Sequence, residues 1–118
     1  MNLNVIIALL FGHFLGDFVF QSDRLALGKS KDSGILAQHV LVYIGVMTLV
    51  ISLFDITSPM YPLWAIFNYF LHFVTDFISS RITSKLWASK KNHWFFVTIG
   101  ADQLVHYLCL FGTWRLMA

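Results

Sequence analysis

The stretch His13-Phe14-Leu15-Gly16-Asp17-Phe18 (HFLGDF) lies within a long apolar run and recurs further along the chain as HFVTDF, residues 72–77. On an α-helix, residues four positions apart share one face and lie about 6 Å apart along the axis. Each copy of the motif therefore directs an imidazole and a carboxylate towards the same neighbouring element. Both groups are costly to place in apolar surroundings, which indicates a functional site inside a helical protein.

The composition around these motifs is that of a membrane protein. Of the 118 residues, 58% are hydrophobic and 12% are charged, whereas about a quarter of the residues in soluble domains are charged. Mean hydropathy is +0.70, and the chain has twelve Phe and no Glu. The length suits a single domain, residues 1–118. Cys109 is the only cysteine, which excludes an internal disulfide and a thiolate-cluster metal site.

Four apolar stretches reach or approach the length of about 20 residues that a membrane-spanning helix needs. They cover residues 4–21, 34–54, 62–82 and 93–117. Seven of the eight Lys and Arg residues lie in or beside the first and third connections between these stretches, and the second connection has none. By the positive-inside rule, the two basic connections are cytoplasmic and both termini face outward. The sequence thus predicts an all-α membrane protein, a four-transmembrane-helix bundle in the lipid bilayer.

The order of polar residues indicates a tandem duplication of a helical hairpin. One copy of the motif lies in the first span and the other in the third, and each is followed by a span with polar residues and a tyrosine near its start. These residues are Gln38, His39 and Tyr43 in the second span, and Asp102, Gln103 and Tyr107 in the fourth. Because each unit contains two spans, both copies keep one orientation and are related by a pseudo-twofold axis along the membrane normal.

Seven ionisable side chains fall at a similar depth in the predicted spans. The first and third spans run inward with His before Asp, while the fourth runs outward with Asp102 before His106, so in these three spans the imidazoles lie deep and the carboxylates shallow. His39, near the start of the second span, lies in the shallow layer. The predicted metal ligands are His13, Asp17, His39, His72, Asp76, Asp102 and His106.

The spans contain no Lys or Arg that would pair with the three carboxylates. One or two divalent cations would compensate them, and neutral His with ionised Asp suits zinc first, then iron or manganese. Seven ligands exceed the needs of one tetrahedral ion, which favours two metals with a bridging carboxylate. One metal whose ligands are oriented by the remaining polar groups is the alternative. Gly12 and Gly16 lie beside the ligands and predict a close helix approach there.

Four motifs in order carry a resemblance to a known group of proteins. They are HFxxDFxxQ, a lone His early in the second span, HFxxDF and DQxxH, and together they resemble an uncharacterised family of small bacterial and phage integral membrane proteins. The resemblance extends over nearly the whole chain and implies a multi-pass protein of the bacterial inner membrane. More loosely, the His/Asp-bearing helices resemble the membrane-bound metal-dependent hydrolases of bacteria, which implies a reaction class without a substrate.

Three functions follow from these features. The first is a metal-dependent hydrolase acting on a lipid or lipid-linked substrate, with Asp76 or Asp102 as catalytic base. The second is a divalent metal-ion carrier or sensor, for which a homo-oligomer is expected because four helices are few for a pathway. The third is a structural or interaction protein whose polar layer holds the helices together. The basic connections hold too few bases for nucleic-acid binding, so that no such partner is expected.

Overall fold

The computed structural model describes residues 1–118 and contains helices only. The α-helices are α1 (Leu3–Phe14), α2 (Asp23–Gly28), α3 (Ser33–Leu53), α4 (Tyr61–Ala88) and α5 (Asn92–Met117). Helix α1 continues without a break into a π-helical segment, Leu15–Val19. The predicted all-α fold is confirmed.

Polar caps and a proline determine where several helices begin. The side chains of Asn2, Ser22 and Asp32 each accept a hydrogen bond from backbone N–H groups in the first turn of the helix that follows. Pro62 lies in the first turn of α4, where its missing N–H has no intrahelical partner to lose. The caps at Ser22 and Asp32 bracket α2, a short helix within the first basic connection that the sequence analysis did not predict.

The four long helices form an up-and-down bundle of 45 × 26 × 21 Å. Helix α1 packs against α3 and α5, α3 against α4, and α4 against α5, which closes the ring of neighbours. The apolar core lies in the part of the bundle remote from the basic turns, where Leu9, Met47 and Trp64 are fully buried. The polar cluster that contains both HFxxDF motifs lies next to this core, on the side of the basic turns.

Two glycines let the first helix approach α3 closely, as the sequence predicts. A Cβ added at Gly12 would collide with the Met47 side chain, and one at Gly16 would lie 2.8 Å from Cδ2 and 3.3 Å from Cα of Tyr43. The contact at Gly16 involves backbone, which cannot rotate away as a flexible side chain can. A side chain at position 16 would therefore force the Tyr43 ring to move or the two helices to separate slightly.

Two helices, α3 and α5, are long and apolar enough to cross a membrane by length and composition. The apolar segment Leu3–Val19 is shorter, and α4 is long but not apolar enough, because its buried face contains His72, Asp76 and Ser80. The residues of the polar cluster thus lower the hydropathy of the helix that presents them. The observed helices follow the four predicted stretches closely, except that α4 extends to Ala88. The four-span prediction itself is not established by these criteria and remains a proposal.

Candidate metal centre

All seven predicted site residues meet in one cluster, which α1, its π-helical extension, α3, α4 and α5 build together. Six of the seven side chains are buried, and Asp102 is partly exposed. In both HFxxDF motifs, the His and Asp lie on the inward face of the helix. Each motif therefore contributes to the same centre rather than to a separate one.

Four ligand atoms of this cluster converge on a single point. They are Asp17 Oδ1, His39 Nε2, His72 Nε2 and Asp76 Oδ2, and all lie within 4.8 Å of one another. From His39 Nε2, the distances are 3.0 Å to Asp17, 3.2 Å to Asp76 and 3.3 Å to His72 Nε2. From His72 Nε2 they are 3.4 Å to Asp17 and 3.3 Å to Asp76. A tetrahedral zinc ion with bonds of about 2.0–2.1 Å separates its ligand atoms by about 3.3–3.4 Å, so these spacings suit one such ion.

Hydrogen bonds alone do not satisfy this arrangement. A neutral imidazole has one N–H, yet Nε2 of His39 faces two carboxylate oxygens and a second imidazole nitrogen within 3.3 Å. Nε2 of His72 faces the same two carboxylates. This set of nitrogen and oxygen lone pairs facing one another could hold a metal ion.

A second group of ligand atoms adjoins the first. It contains Asp17, Asp102 and His106, whose ligand atoms also lie within 4.8 Å of one another. Nε2 of His106 lies 3.0 Å from Asp76 Oδ1 and 3.3 Å from Asp102 Oδ1. Asp17 belongs to both groups, and Asp76 joins them as well, since its Oδ2 faces the first group while its Oδ1 contacts His106 of the second.

His13 lies beside these two groups rather than within them. Its Nδ1 is 2.8 Å from the Tyr43 hydroxyl, its Nε2 is 2.6 Å from Gln103 Oε1, and Asp17 Oδ2 is farther away at 3.6 Å. The Gln103 amide in turn donates to Asp102 Oδ2 at 3.1 Å, so that its Oε1 accepts from His13. The ring of Tyr43 stacks on His72, with centroids 3.9 Å apart. His13 therefore hydrogen-bonds to Tyr43 and Gln103, which in turn contact His72 and Asp102. Its role as a metal ligand stays a prediction.

Lys29 pairs with the cluster from outside the predicted spans. Its ammonium lies 3.1 Å from Asp76 Oδ2, and its side chain is 17% exposed. Burial acts to lower the pKa of Lys29, but the carboxylates of Asp76 and Asp17 outweigh burial and raise this pKa above its usual value. Lys29 lies outside the predicted spans, so the sequence did not predict this ion pair. Ser22 signals the start of a helix, since its side chain caps α2, but a cap does not indicate where that helix packs.

The formal charge of the cluster determines how many divalent cations would neutralise it. Three carboxylates and the Lys29 ammonium sum to −2 when the four histidines are neutral. One divalent cation neutralises this charge. Two divalent cations would leave +2, which an anionic ligand would have to balance.

Asp17 belongs to the π-helical segment, where Phe20 N–H bonds to Leu15 O at 2.7 Å, five residues back. Such π-helical turns are rare and occur frequently at functional sites, since they insert one residue and change the direction of a side chain. The irregular turn lies at the residue that contacts both imidazoles of the first group. We infer that it serves to direct Asp17 into the centre.

A cavity of about 530 Å³ opens beside Asp17 and Asp102. Its lining combines apolar side chains, among them Phe18, Phe95 and Phe96, with hydroxyl and ammonium groups. One of the hydroxyls belongs to Ser79, whose Oγ donates to Asp102 Oδ1 at 2.5 Å. The cluster is therefore reached from the side of the basic turns, while the apolar core closes the opposite side.

Residues 5–117 match a protein family described as a protein of unknown function (DUF3307). The chain belongs to this family. Since the match covers nearly the whole chain, the uncharacterised family that the four motifs indicate is confirmed at this level. No curated protein and no solved structure matches the chain.

Proposed function

We propose that this protein is a membrane-embedded, metal-dependent hydrolase of the bacterial inner membrane that acts on a lipid or lipid-linked substrate. The observation that carries the proposal is the convergence of Asp17, His39, His72 and Asp76 on one point beside an amphipathic cavity. A zinc, iron or manganese ion held by these residues would lower the pKa of a bound water molecule towards about 7 and so would supply a nucleophile at neutral pH.

The distribution of polar and apolar surface supports the membrane location. Only 24 of the 118 residues are buried, and eight of these are polar or charged, while large apolar side chains cover the outside. Leu41, Phe70 and Leu108, on α3, α4 and α5, are each more than 60% exposed. A soluble monomer rarely exposes so much apolar surface. The 45 Å length of the bundle also agrees with a bilayer of about 40–45 Å including headgroups.

Asp76 and Asp102 have different surroundings, which suggests different roles in the proposed reaction. Both oxygens of Asp76 are occupied, one by His106 and the other by Lys29, His39 and His72. Such a carboxylate suits a bridging ligand better than a proton acceptor. The oxygens of Asp102 also have partners, namely Ser79 and His106 at Oδ1 and Gln103 at Oδ2. Unlike Asp76, however, Asp102 is partly exposed at the cavity, where it can reach a substrate or water molecule, and this exposure makes it the better candidate for the catalytic base.

The surroundings of the cluster favour an enzyme over an ion carrier. A carrier needs access to the ion from both faces, but the side remote from the cavity is closed by buried Leu9, Met47 and Trp64. A purely structural polar network is disfavoured as well. Nε2 of His39 faces oxygens of Asp17 and Asp76 and a nitrogen of His72, but it can donate only one proton. A site with one entrance is typical of an enzyme that takes up and releases substrate on one side.

Metal content measured on detergent-purified protein tests the proposal. After supplementation with zinc, iron or manganese salts, wild-type protein should retain one or two divalent ions per chain. His72→Ala and Asp76→Asn should lose about nine-tenths or more of the metal, because each removes a ligand of the first group. His93→Ala is the matched control, since His93 is exposed and has no contact with the cluster.

Turnover of a bacterial lipid extract, followed by mass spectrometry, is measured on the same samples. Hydrolysis should require the metal and disappear in His72→Ala. Wild-type protein that binds no divalent ion, or full turnover in His72→Ala, would contradict the proposal.

A further inference from the structure

The lining of the cavity beside the cluster combines apolar and polar side chains, which we refer to as its apolar and polar walls. The apolar wall contains Phe18, Phe95 and Phe96. The polar wall contains Ser80 and Ser84, which lie four positions apart on one face of α4. A ligand that suits both walls has an apolar chain and an oxygen-rich head.

The free charge on the polar wall is positive. Lys31 lines the cavity and has no ion pair. The Lys29 ammonium has three N–H donors, of which Asp76 takes one. The carboxylates at the inner end of the cavity, Asp17 and Asp102, are already paired with histidines of the cluster. The head of the ligand is therefore expected to be anionic.

Two buried polar atoms near this wall have no partner within the protein. They are the hydroxyl of Ser80, a residue only 7% exposed, and Oε1 of Gln21. Both residues line the cavity. Buried polar atoms are rarely left without a hydrogen bond. A polar ligand bound in the cavity would supply the hydrogen bonds that these two atoms lack.

The charge of the cluster specifies the anion further. With two divalent ions, the three carboxylates and Lys29 leave a charge of +2. A phosphate monoester carries about −1.5 to −2 at neutral pH and would balance this charge, whereas a neutral ester or amide would leave it buried. The second ligand group, around His106, is the position for the additional ion.

We propose that the substrate class is a lipid phosphate, a phosphate monoester attached to an apolar chain. The phosphate lies between Lys31, Lys29 and the hydroxyls of α4, and the chain lies along the phenylalanine wall. In the reaction, the oxygen of water bonds to phosphorus and the bond from phosphorus to the lipid oxygen breaks. One proton of the water passes to that lipid oxygen, and the products are a lipid alcohol and inorganic phosphate. The inference rests on the proposed hydrolase function.

Binding measured by calorimetry on the intact, detergent-purified protein tests the inference without relying on turnover. Three probes are compared: dioctanoyl phosphatidic acid, dioctanoylglycerol and inorganic phosphate. Phosphatidic acid should bind about 10-fold or more tightly than either of the others, because only it engages both walls, and a charge-assisted contact alone accounts for a factor of this size.

Lys31→Gln should weaken phosphatidic acid binding by about 10-fold. Lys85→Gln is the matched control, since Lys85 lies on α4 outside the cavity lining, and it should change the affinity by less than about two-fold because surface charges contribute little. Equal affinity for phosphatidic acid and dioctanoylglycerol would overturn the inference. Equal affinity for phosphatidic acid and inorganic phosphate would also overturn it. The same holds if Lys31→Gln and Lys85→Gln weaken phosphatidic acid binding equally.

Metal analysis of the same samples separates this inference from the proposed function. Selective binding of phosphatidic acid that depends on Lys31 supports the lipid phosphate site, even where metal is absent and the hydrolase proposal has failed. Stoichiometric metal without such selectivity overturns the lipid phosphate and leaves the metal centre intact.

Discussion

Asp76 Oδ2 lies 3.1 Å from the Lys29 ammonium and also faces His39 and His72 at 3.2 and 3.3 Å. A divalent ion in the first group would bring a second positive charge to the same oxygen. Lys29 therefore balances Asp76 when metal is absent and is less needed when metal is bound. The stability of the protein should reveal this exchange, because breaking a buried ion pair leaves an uncompensated charge.

Lys29→Met should destabilise the metal-free protein by about 3–5 kcal/mol, the usual cost of removing one partner of a buried pair. The loss should be smaller in the metal-loaded protein, because the ion supplies the missing charge. Thermal unfolding in detergent, with and without added divalent metal, should therefore show a larger metal-induced rise in Tm for Lys29→Met than for wild type. Lys85→Met is the control with an exposed ammonium. An equal rise in all three proteins would contradict this exchange.

At the residue scale, the sequence predicted which His and Asp side chains lie together, but it did not predict the ion pair of Asp76 with Lys29. The seven His and Asp residues lie together because helical spacing and span direction determine their face and depth. Lys29 escaped prediction because its contact depends on how a short connection folds back, which spacing within the long helices does not encode. His13 illustrates a similar limit, since the contacts of its two nitrogens to Tyr43 and Gln103 depend on rotamers.

At the element scale, the junction between the first helix and α3 determines the geometry of the centre. Gly16 allows the backbone of Tyr43 to come within 3.3 Å of a Cβ position, and Tyr43 in turn contacts both His13 and His72. The distance between these helices thus affects the positions of His13 and His72, because Tyr43 contacts both. Packing and site geometry should respond together to a substitution at Gly16.

Gly16→Ala should lower the free energy of unfolding by about 1–3 kcal/mol, the usual cost of forcing an extra methyl group into a packed contact. It should also reduce metal retention, because Tyr43 must move away from His72. Gly100→Ala in α5 is the matched control, since nothing lies within 4 Å of a Cβ there. Thermal unfolding and metal analysis of both variants check the prediction. Equal behaviour of the two variants would show that the close approach at Gly16 is not needed.

The long helices were predictable and the short irregular ones were not. Four apolar stretches of adequate length indicated α1, α3, α4 and α5 to within a few residues at most ends. Helix α2 has six residues, too few for a periodic pattern, and the π-helical turn at Asp17 has the same composition as an α-helical one. The duplication of a helical hairpin stays a prediction, and two contacts agree with it: His13 contacts Gln103 of α5, and His72 contacts His39 of α3. These are the residues that the two hairpins place at corresponding positions.

At the scale of the whole molecule, a cluster of ionisable groups is buried beside the apolar core, while large apolar side chains cover the outside. Asp17, His39 and Asp76 are no more than 3% exposed, whereas Leu53 and Leu116 are more than 70% exposed. Water would favour the opposite distribution, while a bilayer favours this one, because only internal partners are available to polar groups there. For the proposed membrane protein, the asymmetry of Lys and Arg along the chain predicts that the end with the basic turns faces the cytoplasm.

Cysteine labelling in intact cells tests this orientation, with Cys109→Ala as the background because Cys109 is the only thiol. Thr57→Cys lies in the exposed turn after α3, which has no base, and Ser89→Cys lies in the exposed basic turn after α4. A membrane-impermeant maleimide applied to spheroplasts should label position 57 directly and position 89 only after the membrane is broken. Labelling of both positions in intact spheroplasts would contradict the spanning of the membrane by α4, and the reverse pattern would contradict the cytoplasmic placement of the basic turns. The cavity opens beside these basic turns, so the same experiment determines the side from which a substrate reaches the centre.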